Sequence, residues 1–81
     1  MQVTKADGRK IRERREAADL TVDELVDALI EREGLKRHPD TIRNIELGHA
    51  KAGFKLVNAM ARVFECDRTD LLADEDARVS A

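Results

Sequence analysis

The sequence predicts an all-α domain of five short helices, on three observations. Charged residues make up 40% of the 81 and aromatics 2%, with no Trp and no Tyr. Such a chain builds its core from Leu, Ile, Val and Ala, which suits helices and argues against a β-sandwich. Apolar residues recur at three- and four-residue spacing instead of alternating. Residues that start helices (Asp7, Thr21, Asp67) and stop them (Gly34, Gly48) punctuate the chain at short intervals. A chain of this length makes one small domain with a marginal core, so dimerisation or a bound partner would add to its stability.

Residues 1–7 carry no periodicity and are expected to form a flexible N-terminal arm, in which Lys5, with Arg9 just beyond, either touches phosphate or is simply solvated. Asp7 suits the cap of a first helix over 8–18, heavily charged, with Ile11 and Ala18 as its apolar contacts. Asp19 is a plausible end, because Asp tolerates the left-handed conformation better than most residues. Thr21 and Glu24 spell a capping box for the second helix. There Val22, Leu25, Val26, Leu29 and Ile30 form the strongest amphipathic stripe in the chain, running to about residue 32. A turn over 33–37 follows, with Gly34 as terminator.

The third helix, over 39–47, organises the chain. Pro39 fits the first helical position, where its missing N–H is no loss. Asp40 and Thr41 favour the positive N-terminal end, and Gly48 stops the helix by turning left-handed at no steric cost. At about 100° per residue, Ile42 and Ile45 share one side, with Glu46 beside them, while Asp40, Arg43, Asn44 and Leu47 share the other. Two core anchors behind an outward row of hydrogen-bonding side chains are what a helix needs to read a DNA groove. A loop over 49–53 leads to a fourth helix over 54–65, marked by Phe54, Leu56, Val57, Met60, Ala61, Val63 and Phe64. Asp67 caps a fifth over 68–72, offering Leu71 and Leu72, and residues 73–81 form an acidic flexible tail.

Net charge is −2, yet its distribution matters more than its sum. The second helix collects Asp23, Glu24, Asp27, Glu31 and Glu33, and the tail holds Asp74, Glu75 and Asp76. Between Lys36 and Lys55 the balance reverses, and Lys36, Arg37, Arg43, Lys51 and Lys55 face only Asp40 and Glu46. A single cysteine, Cys66, rules out an internal disulfide and any cysteine-rich zinc site. It reads as an apolar filler near a helix end. The absence of a long apolar run and of a secretory pattern leads to an expected cytoplasmic location. No nucleophile–base pair, metal cluster or phosphate-cradling glycine loop is legible, so neither enzyme activity nor a cofactor, metal, membrane or small-molecule ligand is expected.

These pieces in order resemble the phage Cro/repressor-type (Xre-like) helix-turn-helix family, over about residues 8–72. Ala18-Asp19-Leu20-Thr21 with Glu24-Leu25 is similar to the family's exit from helix one and entry to helix two. Thr41-Ile42-Arg43-Asn44-Ile45-Glu46-Leu47-Gly48 is similar to its third helix, and Met60-Ala61-Arg62-Val63-Phe64 with Cys66-Asp67 and Leu71-Leu72 to its last two. The resemblance implies a lambda-repressor-like domain whose helix from Pro39 enters the major groove. Asp40, Thr41, Arg43 and Asn44 would then read bases: Asn pairs bidentately with adenine and Arg with guanine, each for about 1–3 kcal/mol of discrimination. Asp40 either accepts from a cytosine amino group or simply favours the helix start, and Arg43 leans toward phosphate. Lys36, Arg37, His38, His49, Lys51 and Lys55 are the expected phosphate contacts. Arg15 and Glu46 match a partly buried ion pair tying helix three to helix one, its role orientation more than net stability. The sequence departs from the family in having Val22 where a phosphate-touching Gln is common, and in a longer link between helices two and three. The link either brings Lys36, Arg37 and His38 to phosphate or shifts the entry angle of the reading helix.

The expected function is therefore that of a sequence-specific transcriptional regulator. It would be a Cro-like or immunity-type repressor, phage or bacterial, binding double-stranded DNA at a pseudo-palindromic operator as a homodimer in the cytoplasm or nucleoid. Leu71 and Leu72 would make dimer contacts or pack into their own core, and Leu47 would meet a second subunit or a thymine methyl. The alternative is an antitoxin or adaptor whose main partner is a protein, met through the acidic second helix.

Overall fold

The computed structural model describes residues 5–73, and among them the fold is all-helical. Four α-helices, α1 (Gly8–Ala17), α2 (Val22–Glu33), α3 (Pro39–Leu47) and α4 (Phe54–Phe64), are followed by a 3-10 turn at Arg68–Leu71. Helix α1 packs on α3 and the 3-10 turn, and α2 packs on α3 and α4. Ile11, Leu25, Leu29, Ile42, Val57, Met60 and Leu71 meet at the centre, essentially without solvent contact.

Local chemistry sets the helix ends. Asp7 accepts from the Arg9 N–H at 2.9 Å. The capping box of α2 is complete, with Thr21 Oγ1 accepting from Glu24 N (3.1 Å) and Glu24 accepting from Thr21 N (2.8 Å). Three C-termini close in the same way, by a reversed turn with a left-handed residue just past the helix. Asp19 (φ 65°), Gly48 (φ 85°) and Glu65 (φ 57°) are those residues. The N–H groups of Leu20, His49 and Cys66 then reach back to the carbonyls of Arg15, Asn44 and Ala61.

Several expectations are corrected. The fifth helix is a 3-10 turn, because Leu72 is already extended (φ −100°, ψ 156°) and bridges antiparallel to Ala6. For the same reason the arm expected over 1–7 is not loose at its inner end. Asp7 N donates to Leu71 O, and Ala73 N to Lys5 O, both at 2.8 Å. Residues 1–4 and 74–81 lie outside the described residues, so most of the expected tail does too. Of the two roles expected for Leu71, it takes the one inside its own core, at 0% exposure. Ala18 is exposed, and Ile30 is 43% exposed, outside the contact that α2 makes. Leu35, expected only as part of a turn, is buried in the core.

Candidate nucleic-acid interface

Helix α3 is held from behind at several points. Ile42 and Ile45 sink into the core at 1% and 3% exposure. Glu46 Oε2 accepts from Arg15 Nε at 2.8 Å and Oε1 from Nη2 at 3.0 Å, a two-pronged pair whose side chains are only 11% (Arg15) and 7% (Glu46) exposed. Arg15 Nη1 donates to Leu20 O at 2.8 Å, so one guanidinium joins the end of α1 to α3. The Glu46 hydrogen bond raises the Arg15 pKa, against the lowering effect of burial. Gly8 completes the clamp. A Cβ there would overlap the Ile45 carbonyl oxygen and stand 2.8 Å from that of Glu46, so backbone lies on backbone.

The N-terminus of α3 carries a cap that sequence reasoning missed. His38 Nδ1 accepts from Asp40 N at 3.1 Å. The same residue is among the expected phosphate contacts, and this bond engages only its Nδ1. Accepting through Nδ1, it serves the helix end itself. Its dihedrals suit a cap (φ −76°, ψ 143°), as expected of a residue before proline.

On the open side Asp40, Arg43, Asn44 and Leu47 are exposed, and Thr41 is half-buried. Arg43 Nη1 donates to Asp40 Oδ1 at 2.9 Å, and its Nη2 lies 3.9 Å from Asp23 Oδ1 at the start of α2. Asp23 is thus a member of this surface, and its distance in sequence hid it. Lys36 is exposed and Arg37 half-buried, its Nη1 donating to Lys36 O at 2.8 Å; both lead into the N-terminus of α3. His49 and Lys51 follow its C-terminus, and Lys55 lies in the first turn of α4, all three exposed. Arginines engage both acids of this segment, Asp40 and Glu46. The cationic excess around α3 is therefore carried by Lys36, Arg37, Lys51 and Lys55.

A depression of about 460 Å³ lies behind the C-terminal end of α3, lined by Gly8, Ile45, Gly48, Lys51, Phe54 and Leu72 among others. Phe54, one of the residues that mark the fourth helix in the sequence, is exposed because it opens α4 at the edge of the packing; the Arg68 guanidinium sits 5.8 Å from its ring. Among the described residues no helix is long and apolar enough to cross a membrane. Comparison with family models, curated proteins and solved structures gives no match.

Proposed function

We propose that this chain is a sequence-specific DNA-binding regulator of transcription, a Cro-like or immunity-type repressor that lays α3 in the major groove of a pseudo-palindromic operator and acts as a homodimer. One observation carries the reading. A nine-residue helix is immobilised along one side by Ile42, Ile45 and the Arg15–Glu46 pair, while Asp40, Arg43, Asn44 and Leu47 stand together in solvent on the other. Recognition of base edges requires donors and acceptors held by a rigid support, and cations on either side to meet the backbone. Lys36 and Arg37 before the helix, and Lys51 and Lys55 after it, supply the cations.

Selection of fragments from a random duplex pool tests the reading directly, and a two-fold related motif is the expected result. Asn44→Ala should cost about 1–3 kcal/mol on the selected site and relax the preference at one base pair. Equal loss on random DNA would make Asn44 an anchoring contact only. A second reading, a protein-binding antitoxin or adaptor, draws on the exposed acidic row Asp23, Glu24, Asp27 and Glu31 of α2. Binding to a partner protein with no selection of DNA would favour it.

A further inference from the structure

We propose that Asp40 and Arg43 act as one unit that reads a single G·C base pair. The inference rests on the DNA-binding reading above and names the base pair recognised at that site. The two residues are one turn apart on the open face of α3, joined by the 2.9 Å bond from Arg43 Nη1 to Asp40 Oδ1. The guanidinium is therefore drawn toward the start of α3, where Asp23 approaches its other amino group at 3.9 Å.

A guanidinium has five N–H donors in a planar fork, and Asp40 occupies one of them. The remaining donors include an adjacent pair able to meet O6 and N7 of guanine. Asp40 also keeps an acceptor in Oδ2. His38 Nδ1 lies 3.8 Å from that oxygen, beyond hydrogen-bond distance, and accepts from the Asp40 N–H instead. Two donors beside one acceptor complement the major-groove edge of a G·C pair, where N7 and O6 accept and the cytosine N4 amino group donates. An A·T edge places an amino donor between its acceptors and cannot satisfy the same set. Phosphate is a poor match, since two carboxylates around one guanidinium leave Asp23, Asp40 and Arg43 with a combined charge of −1. The tether to Asp40 thus turns a side chain otherwise suited to phosphate into a base reader.

Pool selection with the wild type, Arg43→Ala and Asp40→Asn tests this. Both positions are exposed, so both variants should keep the wild-type melting temperature. The wild type should select an invariant G·C pair and discriminate against other pairs there by roughly tenfold to a hundredfold. Each variant should lose that preference while keeping the rest of the motif. Arg43→Ala should leave the salt dependence unchanged. If Arg43→Ala instead weakens binding to all sequences alike and lowers the salt slope by about one, Arg43 is a phosphate contact and the proposal is wrong. A motif that survives both substitutions intact overturns this inference alone. A wild-type chain that selects no sequence overturns it together with the operator reading.

Discussion

Arg15 is the side chain on which the placement of α3 turns, because its guanidinium meets both the end of α1 and Glu46. Removing one member of such a pair leaves the other charge poorly solvated. Glu46→Ala should therefore destabilise the fold by about 3 kcal/mol, read as a lower urea midpoint, and weaken DNA binding as α3 loosens. Replacing both residues by apolar ones of similar volume should recover much of the stability without restoring DNA affinity. An unchanged midpoint in Glu46→Ala would show that the pair is decorative. The raised pKa of Arg15 means its contribution is fully present below the ordinary arginine range and is lost only as pH climbs through the raised value, far above neutrality. Cys66 is shifted upward too, first by burial. At pH 8 its alkylation should be slower than that of an unfolded control, because less of it is thiolate. A rate equal to or faster than the control's would contradict that shift.

Helix ends and contacts between helices decide the next level. Gly8 is needed because α1 starts against the carbonyls that end α3. Gly8→Ala should lower stability by about 1–3 kcal/mol, as overpacking usually does, and should broaden or shift the amide resonances of residues 45–47. Unperturbed resonances there would mean the helices do not approach so closely. Glu65 holds a left-handed conformation that penalises any side chain. Glu65→Gly should raise the melting temperature, by a gain of up to about 1 kcal/mol. Of the four left-handed helix ends, Asp19, Gly34 and Gly48 were legible because Asp and Gly are known to adopt that geometry, whereas Glu65 carries no such signature. The final 3-10 turn escaped sequence reasoning for a different reason. Arg68 to Leu71 look like any short helix, and only the pairing of Leu72 with Ala6, across the chain, stops the winding.

Charge is arranged unevenly over the molecule as a whole. The acids of α2 face solvent, while Glu33 is engaged by Arg62 at 2.6 Å, and the cations cluster before and after α3. If Lys36, Arg37, Lys51 and Lys55 each meet a phosphate, the logarithm of affinity should fall against the logarithm of salt with a slope of roughly −3 to −4 per subunit. A slope near zero would remove the backbone contacts and with them the case for a groove-bound helix. If the chain acts as the proposed homodimer, binding strength should also depend on protein concentration, although buried Leu71 will not supply the contact.

The caps at Asp7 and Thr21, the left-handed stops at Asp19, Gly34 and Gly48, and the two-sided character of α3 were readable from the chain because each depends on residues within about one turn. Other features depend on residues far apart in sequence: Gly8 against α3, Asp23 beside Arg43, Glu33 with Arg62, Lys5 with Ala73, and the exposure of Ile30 and Phe54. The Arg15–Glu46 pair, 31 positions apart, was reached through a family resemblance and not through spacing. Periodicity orients a side chain about its own helix axis, but whether that direction meets solvent or protein depends on where the neighbouring helix lies, and packing alone decides that.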